Sequence, residues 1–285
     1  MQPQSAGSDT SVQRKRFSRL DELYRQERLR AALGDAPVEL RVPGPPPEGV
    51  TIHQLRARSV IRHGDSVTKL TTSPLGITPN EAAAMRFVRQ HTSIPVPEVR
   101  GTDWDRITME YVEGETLHDA WPKLGEEDKA AIRDQLRDYI QQLRSLQGLY
   151  VGRLDGIPAQ APGLFQRSGG PFRTVAEFHQ FLLGQTRVHN GHRDIIRREL
   201  KDDYAIVFTH CDLAPRNIIV RDARIVAVID WEMAGWYPEY WEYALMIRAF
   251  TSVGDWDGLG RHLPYLFPRR YDYEYILTSH VGQCS

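Results

Sequence analysis

Hydrophobic and polar residues alternate along three consecutive short stretches, VTIHQL at 50–55, RSVIRH at 58–63 and SVTKLT at 66–71. Alternation with period two predicts strands, and His63-Gly64-Asp65 supplies a turn between the second and third. A helix follows. Thr78 suits its N-cap, Pro79 its first position and Glu81 the third position of a capping box, and the pattern runs through AAAMRFVRQH until SIPVPEV ends it. Two further strands are expected at 98–104 and 106–112. Beyond residue 116 the period lengthens to that of a helix: Ile132, Leu136, Ile140, Leu143 and Leu146 make one apolar stripe over 126–146. Helical segments are also expected at 174–186, 187–204 and 238–250. Between the last two, IVF at 206–208, NIIV at 217–220 and RIVAVID at 224–230 read as strands, with Arg221-Asp222-Ala223 as a hairpin turn. Ahead of the first strand, residues 17–33 space Phe17, Leu20, Leu23, Tyr24 and Leu29 as an amphipathic packing helix. A polar tail at 1–16 precedes it, and the stiff linker VPGPPPEG follows at 42–49. The Gly- and Pro-rich segment 157–172 is an irregular loop, long enough for a binding role.

Composition narrows the class without choosing a function. The chain has 285 residues, 41% hydrophobic and 26% charged, with a net charge of -1. That suits one large globular domain or two lobes. No global field favours nucleic acid or an anionic membrane, and no apolar run approaches the length of a spanning helix. The N-terminus shows no signal-peptide pattern, and two cysteines, Cys211 and Cys284, are too few for a disulfide framework, so a cytoplasmic location is expected.

The candidate chemistry lies in FTHCDLAPRNIIV, 208–220, and in the Asp that closes the following hairpin. Taken singly, His210 could hydrogen-bond the loop, Asp212 could cap a turn and Asn217 could be an ordinary loop residue. Together, a His-x-Asp, an Asn five residues after the Asp and Asp230 at the end of an apolar run match the division of labour in phosphoryl transfer. Asp212 would take the proton of an attacking hydroxyl, Asn217 and Asp230 would hold Mg²⁺ against phosphate oxygens, and His210 would brace the loop. A carboxylate at the end of a buried strand needs something positive nearby, which a divalent cation would provide. In the first half, Lys69 sits mid-strand, where a lysine usually points to water. Glu81 is the only acidic residue of the helix that follows, so it is the helix partner available to aim Lys69 at phosphates. The stretch ITMEYVEG at 107–114 ends a strand in a Gly turn, whose free backbone groups suit an adenine edge.

At these residues the sequence resembles the aminoglycoside phosphotransferase and choline kinase-like family, a small-molecule branch of the protein-kinase fold, with its fungal members the nearest in pattern. The motifs are IPVP, MEYVEG, QLR, HCDLAPRNIIV and VIDWEMAG, in that order over roughly 50–250. The resemblance implies an α+β, bilobal kinase-like fold: an N-lobe of antiparallel sheet with one main helix at 50–114, and a mostly helical C-lobe with a catalytic hairpin at 115–285. It implies ATP or GTP, and Mg²⁺. By matching motif positions it makes Asp212 the base, Asn217 and Asp230 the metal ligands, and Lys69 and Glu81 the phosphate-orienting pair. It also makes Glu110 and Val112, behind Met109, an adenine hinge, and gives Glu232 a supporting role at the metal.

Two departures stand out. Cys211 occupies a position where that family usually has Gly, and no glycine lies between residues 50 and 63 to form a Gly-rich flap over the phosphates. Six of the thirteen residues at 231–243 are Trp or Tyr, interleaved with Glu232, Glu239 and Glu242. Trp241 and Tyr243 suit the core. Trp236, Tyr237 and Glu232 are candidates to meet a small-molecule acceptor that is cationic or ring-shaped. The expected activity is phosphoryl transfer from ATP to a hydroxyl or amine of that molecule. The alternatives are a nucleotide-binding pseudokinase with a regulatory role and, with no A-P-E-like segment after Asp230, less readily a protein kinase.

Overall fold

A computed structural model describes residues 43–55, 58–71, 80–154, 156, 158–159, 169–184, 190–252 and 259–282. The segment 17–33, the tail before it, Thr78, Pro79, Cys284 and most of the 157–172 loop lie outside the described residues.

The three alternating stretches form β1 (Val50–Leu55), β2 (Arg58–His63) and β3 (Ser66–Thr71), with the predicted bounds. With β4 (Val99–Thr102) and β5 (Arg106–Glu110) they make an antiparallel five-stranded sheet in the order β1-β2-β3-β5-β4. Helix α1 (Asn80–His91) packs Met85 and Val88, both fully buried, into the core. From Leu117 on the chain is mainly helical, with α2 (Glu126–Ser145), α3 (Val175–Gly184), α4 (Asn190–Glu199), α5 (Trp241–Ser252) and α6 (Asp272–Gly282). Helix α2 buries Ile132, Leu136, Ile140 and Leu143, the stripe its sequence pattern predicts. The molecule is therefore α+β and bilobal, with the five-stranded sheet and α1 in one half and most of the helices in the other.

Two small antiparallel sheets carry the loops of interest. One is β10-β9-β6, from β6 (Glu115–Thr116), β9 (Ile218–Arg221) and β10 (Arg224–Val228); the other is β7-β11-β8, from β7 (Gly152–Arg153), β8 (Ile206–Thr209) and β11 (Gly235–Pro238). Strand β11 corrects one expectation. Trp236 and Tyr237 are in a strand paired to β8, where Trp236 lies opposite Phe208 and Tyr237 opposite Val207. Tyr237 is fully buried and stacks on Trp241, and Trp236 packs edge-on against Phe87 and Phe208. Tyr237 is thus enclosed in the core, and Trp236 is partly buried against it. The four-residue strand GWYP was too short to show as a period in the sequence, and the aromatics serve the core.

The two halves are pinned by Asn80, fully buried at the first turn of α1. Its Nδ2 donates to the carbonyls of Glu232 at 2.9 Å and Ala234 at 3.0 Å, and its Oδ1 accepts from the Leu154 amide at 3.1 Å. Three bonds leave this amide side chain well satisfied, and its loss would leave one buried and two partly buried backbone groups without this partner. Asn80→Ala is expected to cost about 2–4 kcal/mol of unfolding free energy. Asn80→Asp should cost more, because it sets a carboxylate against two carbonyls. Chemical denaturation checks this; an Asn80→Ala cost below ~0.5 kcal/mol would refute the pinning role.

Candidate active site

Strand β3 places Lys69 opposite Val60 of β2 and Ile107 of β5, on the face that looks across to the second half. Its Nζ lies 2.9 Å from Glu81 of α1, 2.6 Å from Asp230 and 3.8 Å from Glu232. The expected Lys69–Glu81 pair is therefore formed, and Asp230 meets the same ammonium. Burial alone would lower the Lys69 pKa; the three carboxylates outweigh it and hold it above its ordinary value. Burial pushes the Glu81 carboxyl up to about 7, against the opposing pull of Lys69. For Asp230 burial also pushes upward, but Lys69 prevails and the carboxyl stays below its usual range. The positive balance that a buried-strand Asp requires comes first from Lys69. Oxygens of Glu81, Asp230 and Glu232 lie within 4.8 Å of one another. Such a set of hard oxygen donors fits a small divalent cation.

The Asp212 loop is built by a chain of backbone contacts. His210 is fully buried; its Nδ1 accepts from the Asp212 amide at 3.1 Å, so its Nε2–H donates to the Ile229 carbonyl at 3.0 Å. Burial holds this imidazole below its ordinary pKa, in keeping with a neutral ring that accepts on one nitrogen and donates on the other. The Ile229 amide in turn donates to the Asn217 carbonyl at 2.9 Å. Asn217 Nδ2 donates to the Asp212 carbonyl and to its Oδ2, both at 2.8 Å. Asp212, Asn217 and the residue before Asp230 are thus joined through two hydrogen-bonded loops. Arg216 Nη2 completes the group, 2.5 and 2.7 Å from the two Asp212 oxygens.

Two residues here have backbone in the left-handed region: Cys211 with φ 69° and Asp230 with φ 68°. Non-glycine residues enter this region at a cost, and such outliers concentrate where function needs them. Cys211 adopts the conformation a Gly would take freely. Glu242 of α5 stabilises it from below, since its Oε2 accepts the amides of His210 at 2.6 Å and Cys211 at 3.3 Å. Burial pushes the Glu242 carboxyl up to about 7, against those amide bonds. Burial also pushes the Cys211 thiol far above its ordinary value, which disfavours the thiolate.

The remaining candidates fall as follows. Met109 is buried in β5 opposite Val67, at the expected hinge. The Glu110 amide is already bonded to the Glu98 carbonyl at 2.9 Å and the Tyr111 amide to Asp65 at 2.8 Å, while the Val112 amide has no partner among the described residues. Glu232 lies beside Lys69 and is bound by Arg58 at 2.7 Å, so it belongs to the carboxylate cluster. The other two interleaved glutamates have partners within the chain. Glu239 takes Arg144 at 2.8 Å and the Tyr271 hydroxyl at 2.7 Å, and Glu242 is buried under the Asp212 loop. Sequence reasoning missed Asn80, Arg58, Arg216 and the loop-bearing role of Glu242. For Glu242 a signal existed: it is a lone carboxylate in the apolar run WEYALMI, which calls for a buried polar partner.

The family model of the phosphotransferase enzyme family matches residues 72–263, well over half of the chain. The chain belongs to the phosphotransferase enzyme family. Among solved structures it is similar to a thermostable mutant of aminoglycoside phosphotransferase APH(4)-Ia in apo form, with 16% identity, 83% of this chain and 86% of that one covered, and a TM-score of 0.55. It is also similar to a ternary complex of a thermostable mutant of that enzyme with AMP-PNP and hygromycin B, with 16% identity, 82% and 84% coverage, and a TM-score of 0.54. At these identities the likeness is one of fold, and it agrees with the bilobal kinase-like architecture. No curated protein matches the chain. No helix among the described residues of this phosphotransferase is long and apolar enough to cross a membrane.

The left-handed geometry at Cys211 gives a test. Cys211→Gly is expected to leave unfolding free energy within about 1 kcal/mol of the natural chain, since it trades a small side chain for backbone ease. Cys211→Val should cost about 2–3 kcal/mol, because a β-branched residue resists positive φ. Equal stability of the two variants in urea titration would contradict the assigned backbone.

Proposed function

We propose that this phosphotransferase moves the γ-phosphate of ATP to a hydroxyl of a small molecule. The observation that carries the reading is the convergence of Asp212, Asn217 and Asp230, tied through Ile229, with Lys69 already held by Glu81 and Asp230. Phosphoryl transfer asks for these parts: a carboxylate to take the proton of the attacking hydroxyl, oxygen ligands for a divalent cation, and a cation aimed at the phosphates. The solved complex of a fold relative with AMP-PNP and hygromycin B supports a nucleotide and a small molecule sharing such a fold.

In this reading Asp212 accepts the hydroxyl proton as the bond to phosphorus forms, and Asn217 fixes the carboxylate that receives it. His210, neutral and buried, keeps the loop in place. Lys69 balances charge on the phosphates, with Glu81 holding its ammonium. The amide of Val112 and the carbonyl of Glu110 meet the base edge. Mg²⁺, held by Asp230 and Asn217 with Glu232 beside them, would neutralise phosphate charge and bring the transferred group into line. The nucleotide rests against the sheet-bearing part, residues 50–114, and the acceptor is received by 115–285.

Removing the base leaves positioning intact and proton transfer impaired. Asp212→Asn is expected to lower ATP consumption against a metabolite extract by about 10²–10⁴-fold, with the thermal shift caused by Mg-ATP retained. Turnover at the natural rate would end the assignment of Asp212.

A further inference from the structure

Protein kinases lay a Gly-rich loop over the nucleotide phosphates and use its backbone amides there. Between residues 50 and 63 this chain has no glycine. Leu55 of β1 pairs with Arg58 of β2, so only two residues separate the strands, and neither is glycine. A side chain is then the candidate contact to the phosphates from this side.

Strand β2 supplies one. Residues that pair across neighbouring strands share a face. Val60 pairs with Lys69 and Arg62 with Val67, and those two pair with Ile107 and Met109. Arg58, Val60 and Arg62 therefore line the face that carries Lys69 and the hinge residue Met109. The strand runs from beside Tyr111 to beside Glu232. At the hinge end the Arg62 guanidinium sits 3.7 Å over the Tyr111 ring. At the opposite end, about 13 Å along the strand by its rise, Arg58 Nη1 donates to Glu232 Oε1 at 2.7 Å. Glu232 in turn lies 3.8 Å from Lys69. Arg58 thus faces the same three carboxylates, Glu81, Asp230 and Glu232, as Lys69, and its side chain remains about half exposed.

We propose that Arg58 is a phosphate-binding residue of the nucleotide site, taking the place of the missing glycine flap, and that it exchanges Glu232 for the distal phosphates when nucleotide binds. The inference rests on the nucleotide reading given above and assigns a further residue to it. The charges around the site are arranged for that exchange. Two cations, Lys69 and Arg58, face three carboxylates, one carboxylate in excess. A nucleotide that arrives with its divalent cation brings positive charge for the carboxylates and phosphate oxygens for the two side chains. A guanidinium suits the second role, since its planar donors match phosphate oxygens in pairs. Val60, between the two arginines and opposite Lys69, is placed to cover the ribose and base with an apolar side chain.

Calorimetric titration of Mg-ATP, ADP and adenosine into the full chain tests this, with Arg58→Ala, Arg58→Lys, Glu232→Gln and the Arg58→Ala/Glu232→Gln double variant. Arg58→Ala is expected to weaken Mg-ATP by about 10-fold or more, the scale of a charge-assisted hydrogen bond to phosphate, with adenosine affinity changed less than about twofold. Arg58→Lys should recover part of the loss. The double variant separates direct contact from mere neutralisation of Glu232: it should bind Mg-ATP about 10-fold more weakly than Glu232→Gln alone. If Arg58→Ala binds Mg-ATP as the natural chain does, if adenosine weakens equally, or if the double variant matches Glu232→Gln, the role is overturned. A natural chain that binds no Mg-ATP would overturn the nucleotide reading itself; binding that survives Arg58→Ala overturns this inference alone.

Discussion

One ammonium, that of Lys69, is buried among three carboxylates drawn from both halves of the molecule. Glu81 comes from the helix packed on the large sheet, while Asp230 and Glu232 come from the loop after β10. A buried ion pair of this kind contributes little net stability compared with a well-packed apolar core, but breaking it from one side is costly. Its consequence is geometric. The strand, the helix and the loop can be held in only one relation if the charges are to be satisfied, and Asn80 fixes the same relation through uncharged groups. Asp230 takes up a left-handed conformation within that frame, which a loop free in solvent would have little reason to retain.

A second constraint holds the Asp212 loop. Its amides are received by Glu242 from beneath, its imidazole closes on Ile229, and Ile229 closes on Asn217. These contacts give a non-glycine residue at 211 the conformation of a glycine. The position stood out in the sequence as a departure from Gly; in the structure, the carboxylate beneath the loop receives its amide. The two constraints meet at Asp230, one residue beyond Ile229, so the loop carrying the candidate base and the strand carrying the candidate phosphate contact are positioned relative to each other.

Local pattern carried much of this. The first three strands were legible to the residue, because six-residue alternation bounded by turns depends on nothing distant. The pairing of Lys69 with Glu81 was legible because the helix contains no other acid. What escaped were side chains whose meaning depends on partners far along the chain. Asn80 at a helix start resembles a solvated cap, and its partners lie more than 70 residues away. Arg58 looks like the polar half of an alternating strand, and its partner is 174 residues distant. Trp236 and Tyr237 followed a buried Asp and seemed free to face an acceptor; pairing with β8 turned them into core. The acidic residues among them were absorbed singly, by Arg58, by Arg144 and by two backbone amides, so the cluster seen in the sequence is not a cluster in space.

The direct measure of the central interaction is a double-mutant cycle in unfolding free energy at Lys69 and Glu81. Lys69→Met leaves Glu81 buried without its cation and should cost about 3–5 kcal/mol. Glu81→Leu combined with it should restore a large part of that loss, because an apolar pair of similar volume needs no partner. Costs that simply add, with the double variant as unstable as the sum of the singles, would mean that the two charges do not depend on each other.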